Sequence, residues 1–478
     1  MTVSSGVLEA SPWKGRIFSG EWVAPKGGAV DIKEPGTGDV LTRTGVANAA
    51  DVAAACSAAA AAQPGWAAMP IRDRVNVILR TASILEKNVE EFGTIIGRET
   101  GGPPFKGMHE IGEVVMQLKV AAGLMVQPDG FTLPTSGRLS IAKRVPLGVV
   151  GVIGPFNFPL ILGMRSVAPA LALGNAVVIK PPAHTPLSGG FLAALALTEA
   201  GLPPGVFQVV PGEAEAGEAL CKDPNVQLIC FTGSTATGRR IAEVAGKHLK
   251  KVALELGGKN SLVILEDADL ELALKNAAFG AYLHQGQVCM ATGRVLVQEK
   301  IAPEFIKRLV ERAPNIPLGP LMSERQRDNV HAIVTQAVSE GAKLEAGGKY
   351  KGLFYEATVL TGVRSNMRTF REEVFGPVAN VITFKTDEEA VAIANDTEYG
   401  LATAVISKNV GRALAIAEKI RAGHVHVNDQ TIADEVMNPF GGAGASGNGT
   451  SMGGVADHEL YTRWRWTTIK DAPPPYPF

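Results

Sequence analysis

The spacing of apolar residues changes period several times along the chain. Over residues 49–62 and 71–99 it is helical, and the first run opens at Asn48, a residue type that caps helix starts. A third helical run covers 103–124, beginning at a Gly-Gly-Pro-Pro break, and short strands and turns precede all three, over 17–45. From 128 to 146 apolar and polar residues alternate around a Ser-Gly turn, which predicts a hairpin. Lying between helix-rich segments, it reads as an arm rather than a core layer. Continuous apolar runs of strand length follow at 148–153, 176–179, 206–210 and 228–231, separated by helical patterns at 160–173, 189–200 and 214–221. That alternation predicts an α/β fold with a doubly wound parallel sheet. A second α/β series runs from 261 to about 440, with strands at 261–265, 295–298, 379–384 and 403–406 and a helix at 270–282. The tail, 461–470, alternates again and reads as an edge strand that needs a partner.

A chain of 478 residues is long enough for two or three domains with full cores, and its 46% hydrophobic and 19% charged residues suit a soluble globular protein. The net charge of −1 gives no electrostatic reason to expect nucleic acid or an acidic membrane as partner. The four cysteines form no CxxC pair, which points to a reduced, cytoplasmic setting. No signal peptide is expected, because the first 18 residues lack a basic start followed by an apolar core. Between 146 and 179 the only charge is Arg165, yet Gly-Pro-Phe-Asn-Phe-Pro and Leu-Gly-Asn break the run. In lipid those breaks would strand backbone polar groups, so buried strands and an enclosed helix are the better reading.

The chemistry concentrates between 254 and 294. Cys289 closes this stretch in a polar, Gly-containing loop, Gln285-Gly-Gln-Val-Cys, whereas Cys56, Cys221 and Cys230 sit in apolar or helical runs and read as structural. Glu255 lies between two leucines ahead of Gly257-Gly258; so apolar a setting raises a carboxyl's pKa and suits a base, although a capping or salt-bridged Glu fits the residue type too. Upstream, Asn157 in Gly-Pro-Phe-Asn-Phe-Pro can donate to an oxyanion or simply make a turn. Lys180 ends a strand, where α/β folds bind ligands, and residues 231–238 form a Gly-Ser-Thr turn whose helix start suits a phosphate. Glu373 and Phe375 share an acidic loop that pairs a carboxylate with an aromatic. A Cys nucleophile, a Glu to activate water and an upstream dinucleotide together make an aldehyde oxidiser.

In this order, PFNFP, VIKP, FTGSTATG, LELGGKN, GQVC, EEVFGP and NPFGG resemble the aldehyde dehydrogenase superfamily from about residue 17 to the tail. The resemblance implies a dinucleotide domain over 1–127 and 147–257, a catalytic domain over 258–445, and an arm from 128–146 and 459–478 that assembles a homodimer or homotetramer. It also implies a thiohemiacetal and thioester on Cys289, an oxyanion held by Asn157 and the Cys289 N–H, and hydrolysis by water activated at Glu255. NAD or NADP is the implied cofactor and no metal is expected. Lys180 falls to the adenosine ribose, Ser234 to the pyrophosphate, and Glu373 with Phe375 to the nicotinamide ribose. Ile153, Pro155, Ala183, Gly233 and Leu256 complete the cofactor set.

Ala183 stands where NAD-preferring members often carry a Glu, which removes a repulsion against a 2′-phosphate. Ser166 and Ser451 stand where some members have a Lys and a Glu of a proton relay. The wording HQGQVCMATGR, KPPAHTPLSGG and GASGNGTSMGG is most similar to the benzaldehyde and vanillin dehydrogenase branch. Phe158, Leu162, Arg165, Leu283 and Phe440 then border an apolar substrate tunnel, with Arg165 meeting a ring substituent. An acylating, CoA-dependent enzyme is disfavoured because Glu255 is retained. A semialdehyde enzyme needs cationic anchors, of which Arg165 is the one obvious candidate. An inactive dinucleotide-binding protein predicts loss of the Cys, Glu or Asn, and all three are present.

Overall fold

The computed structural model describes residues 6–478, so the first five residues of the expected dinucleotide domain lie outside the described ones. The first of two large sheets has the order Lys251–Leu256, Val226–Gly233, Val149–Ile153, Ala176–Lys180, Phe207–Val209, with Ile17–Ser19 and Trp22–Val23 at its edge. The first five strands are parallel and the edge pair antiparallel. Strand order reverses beside Val149–Ile153, so a crevice opens at the carboxyl ends of that strand and of Val226–Gly233. Ligands bind doubly wound sheets at such a point.

Burial explains why this region reads as continuously apolar. Val149–Ile153 and Ala176–Lys180 are buried at every position, and so is all but one residue of the helix Pro159–Ala172 that links them. That helix starts at a proline, which needs no N–H partner, and its next two amides donate to the buried Glu110 carboxylate at 3.0 and 3.3 Å. No described helix is long and apolar enough to cross a membrane. The Asn48 cap is present as a reciprocal box with Asp51, and its helix runs past residue 62 to Ala68. The single helix expected over 71–99 is two, Ile71–Lys87 and Val89–Thr100. They part at Asn88, which leaves helical geometry and turns its amide back onto the Ile84 carbonyl at 2.7 Å.

The second sheet has the order Lys343–Ala346, Thr358–Thr361, Val378–Phe384, Thr292–Gln298, Asn260–Ile264, Ala402–Ile406, His424–Val427, all parallel except the first pair. Its two ends escape the apolar pattern because they are short and only partly buried (Lys-Leu-Glu-Ala, His-Val-His-Val). Gly130–Leu133 and Leu139–Pro146 form the hairpin, and the tail Thr462–Ile469 pairs along all of Leu139–Pro146. The tail's partner is therefore this chain's own hairpin. The resulting three-stranded sheet exposes Phe131, Leu133, Leu139, Trp464, Trp466 and Ile469.

Candidate active site

The helix Leu270–Tyr282 stops seven residues short of Cys289. His284, Gln285 and Gly286 then take successive left-handed conformations, at φ 47°, 57° and 69°. Two of these are not glycine, so the loop is strained and must be held from outside. A Cβ on Gly286 would lie 2.2 Å from the Gly376 carbonyl oxygen, which only glycine avoids. The Gln285 amide donates to the Pro320 and Gly101 carbonyls at 3.1 and 3.3 Å, and Gln287 Oε1 accepts from the Met322 N–H at 3.0 Å. The Asn157 amide donates to the Gln287 carbonyl at 3.0 Å, which ties the first sheet's Pro-Phe-Asn loop to the cysteine loop.

Cys289 is half-buried on the wall of a cavity of about 1200 Å³. Burial pushes its thiol up to about 12, helped by the Glu373 and Glu255 charges. At rest it is a thiol, and attack on a carbonyl requires a base to take its proton. Glu255 is the penultimate residue of the strand Lys251–Leu256, only 4% exposed, and neither carboxylate oxygen has a hydrogen-bond partner. It neither caps nor pairs. Burial raises its pKa well above the usual carboxylate range, against the pull of Arg165.

Asn157, Phe158, Leu162, Leu283 and Cys289 line the cavity. Arg165 and Phe440 do not: both are buried beside it, the guanidinium 4.5 Å over the ring. Arg165 is ion-paired through Nη2 with Asp434, which does reach the wall, so its charge is balanced within the chain while Nη1 stays buried without a partner. Ser166 is buried against the Met452 sulfur, beside the Cys230 thiol and the Tyr461 phenol, and no described carboxylate or amine faces it directly.

The other expected residues gather at the carboxyl edge of the first sheet. Ile153 and Pro155 leave the strand Val149–Ile153, and Lys180 ends its neighbour. Lys180 Nζ donates to the Gly212 carbonyl at 2.7 Å; burial lowers its pKa to about 8 against the opposing charge of Glu213. Ala183 is buried in the turn that follows. A Cβ on Gly233 would meet the Phe231 ring at 2.5 Å, and one on Gly238 would meet Leu256 at 2.5 Å, so the helix Thr235–Lys247 starts tight against the sheet. Ser234 caps that helix through the Thr237 N–H and leaves the earlier amides at its positive end free. Across the crevice, the Glu373 carboxylate accepts from the Gly258 N–H at 3.3 Å and is pushed by burial to about 7. Phe375, at φ 52°, meets the Phe156 ring edge-on at 5.8 Å. A helix start for a pyrophosphate, a carboxylate for ribose hydroxyls and a strand-end lysine together fit a dinucleotide. Among the described residues no cluster of His, Cys, Asp or Glu is arranged to hold a metal.

A sequence model of the aldehyde dehydrogenase family matches residues 22–467. The chain belongs to the aldehyde dehydrogenase family. It is 45% identical to vanillin dehydrogenase of Amycolatopsis sp., over 98% of this chain and 99% of that one. It is 46% identical to benzaldehyde dehydrogenase [NAD(+)] of Pseudomonas putida, over 98% of each. Betaine aldehyde dehydrogenase of Staphylococcus aureus, solved in complex with NAD+, superposes with a TM-score of 0.94 at 31% identity, covering 99% of this chain and 98% of that one. As a member of this family the protein is an oxidoreductase acting on aldehydes.

Several groups that shape the dehydrogenase site are not singled out by the motifs. Lys106 and Glu110 form a buried ion pair at 2.7 Å, and Lys106 Nζ also donates to the Asn157 carbonyl at 2.7 Å and Thr100 Oγ1 at 3.0 Å. Their one trace in sequence is the i,i+4 spacing on the helix Pro104–Leu124, which ordinary surface pairs share. Asp434 lies in a loop with no flanking pattern. His284 stands in the cysteine loop itself, five residues ahead of Cys289.

Proposed function

We propose that this dehydrogenase oxidises aromatic aldehydes of the benzaldehyde and vanillin type to carboxylic acids, with NAD or NADP, through a thioester on Cys289. The observation that carries the mechanism is the unpartnered, buried Glu255, whose charge is felt at the cavity thiol. Cys289 Sγ adds to the carbonyl carbon as its proton passes to a water molecule in the cavity. The oxygen that gains the electron pair is held by the Cys289 N–H and the Asn157 amide. One Asn157 N–H is fixed on Gln287 while the other stays available. NAD or NADP, when bound, supplies the hydride acceptor that makes the step an oxidation. Glu255 then takes a proton from water, which attacks the thioester carbon; the C–S bond breaks and the acid leaves.

The apolar wall of Phe158, Leu162 and Leu283 suits a ring, and relatives named for vanillin and benzaldehyde support that choice. Commitment of Arg165 to Asp434 speaks against a distal carboxylate, hence against a semialdehyde. Lys180, Ala183, Gly233 and Ser234 would hold the adenosine side of the dinucleotide, with Ile153, Pro155 and Leu256 beside it and Glu373 and Phe375 on the nicotinamide ribose. The reading includes a dinucleotide domain over 1–127 and 147–257, a catalytic domain over 258–445, and an assembly arm over 128–146 and 459–478. Exposed Trp464, Trp466 and Phe131 on that arm suit burial in a homodimer or homotetramer, and four free thiols suit the cytoplasm. A panel of benzaldehyde, vanillin, hexanal and succinic semialdehyde with each cofactor tests the substrate class. Aromatic aldehydes should lead hexanal by roughly tenfold or more in kcat/KM, and CoA should not change the rate. Equal or better turnover of hexanal would overturn the aromatic reading.

A further inference from the structure

We infer that His284 is the polar anchor of the substrate cavity, exchanging a hydrogen bond with a hydroxyl carried on the ring of an aromatic aldehyde. This rests on the aromatic reading above and adds to it the residue that discriminates among rings. His284 lines the cavity, is 7% exposed, and has no partner for either ring nitrogen. The other buried polar side chains on that wall each hold at least one partner within the chain. Lys106 is held by Glu110, Thr100 and the Asn157 carbonyl, Asn157 by Gln287, and Gln285 by Pro320 and Gly101.

The imidazole has no easy way to turn elsewhere. Its backbone is fixed at φ 47° by the strained loop, and its ring stands edge-on to Phe158 at 5.2 Å. The Asn157 carbonyl, which favours its charged form, takes the Lys106 ammonium at 2.7 Å and makes no hydrogen bond to either ring nitrogen. Burial and the Lys106 charge hold the imidazole neutral, with one nitrogen a donor and the other an acceptor. A phenolic hydroxyl both donates and accepts, so it meets either tautomer. A phenylalanine would fill this place equally well if packing against Phe158 were the whole role. A buried histidine left dry is costly unless something in the cavity bonds it.

The test compares wild type with His284→Phe, which keeps a ring and removes both nitrogens. It also uses His284→Asn, whose side chain tolerates the left-handed backbone should the phenylalanine fail to fold. Each is assayed with benzaldehyde and with its 2-, 3- and 4-hydroxy derivatives. In at least one isomer, the ratio of kcat/KM for hydroxylated over plain benzaldehyde should fall roughly tenfold or more in His284→Phe, and fall in His284→Asn as well. A uniform loss on all four aldehydes, with the ratios unmoved, would make His284 structural and overturn the inference alone. A wild type that oxidises hexanal but none of the four would overturn the aromatic reading, and this inference with it.

Discussion

Replacing Lys106 by Met removes a buried ammonium and leaves most of its stem in place. The ammonium pairs with Glu110 at 2.7 Å, donates to Asn157 and Thr100, and sits 4.6 Å over the Phe158 ring. Without it Glu110, wholly buried, keeps its bonds to the Leu160 and Ile161 amides but faces no cation. Breaking a buried pair from one side costs about 3–5 kcal/mol, most of it the stranded charge. Removing the second charge as well, in Lys106→Met with Glu110→Gln, should restore a large part of that loss, because the amide oxygen still caps the helix. Urea unfolding followed by tryptophan fluorescence measures both. The rate should respond separately, since the Asn157 carbonyl loses its anchor; displacing an oxyanion donor by an ångström costs on the order of a hundredfold in kcat. A single variant within about 1 kcal/mol of wild type, or a double variant as unstable as the sum of the two singles, would refute the buried-pair reasoning. Unchanged kcat would show that Asn157 is placed without Lys106.

Ala183→Glu should lower the NADP/NAD ratio of kcat/KM by roughly tenfold to a hundredfold, through new ribose hydrogen bonds and repulsion of a 2′-phosphate; an unmoved ratio places Ala183 away from the ribose. The raised pKa of Glu255 means that its carboxylate, the form that accepts a proton, is lost as pH falls through that value. Deacylation should therefore slow toward low pH in wild type, and a stopped-flow profile that keeps the same slope in Glu255→Gln would contradict the assignment. Cys56→Ser, Cys221→Ser and Cys230→Ser each place a hydroxyl at a buried site, so unfolding midpoints should drop while turnover per folded molecule stays. Activity lost without loss of stability would tell against a structural role.

What the chain discloses about itself depends on whether a feature is local. Val149–Ile153 and Ala176–Lys180 are legible because both faces are buried, which forces continuous apolar runs at strand length. His424–Val427 is not, because an edge strand half-covered by loops has no such requirement. The break at Asn88 is invisible to periodicity, since apolar residues continue at helical spacing on both sides. In the site, Cys289, Asn157, Phe158 and Leu283 are brought to one cavity by segments whose Gly, Pro and Gln content marks them locally, and Leu162 follows on the helix Pro159–Ala172. Arg165 reads as a cation beside the tunnel; its pairing with Asp434, 269 residues away in sequence, exists only in three dimensions. Lys106 escapes notice for the same reason, as its reason for being buried is the Asn157 carbonyl 51 residues on.

The covalent route through Cys289 is the centre of the account, and trapping it is the most direct test. Glu255→Gln, mixed once with benzaldehyde and NAD and quenched, should give a burst of reduced cofactor close to one per active site, followed by slow turnover. The peptide carrying Cys289 should gain the mass of one benzoyl group, and Cys289→Ala should give neither burst nor adduct. An acyl mass on another residue, or wild-type turnover by Cys289→Ala, would contradict the mechanism.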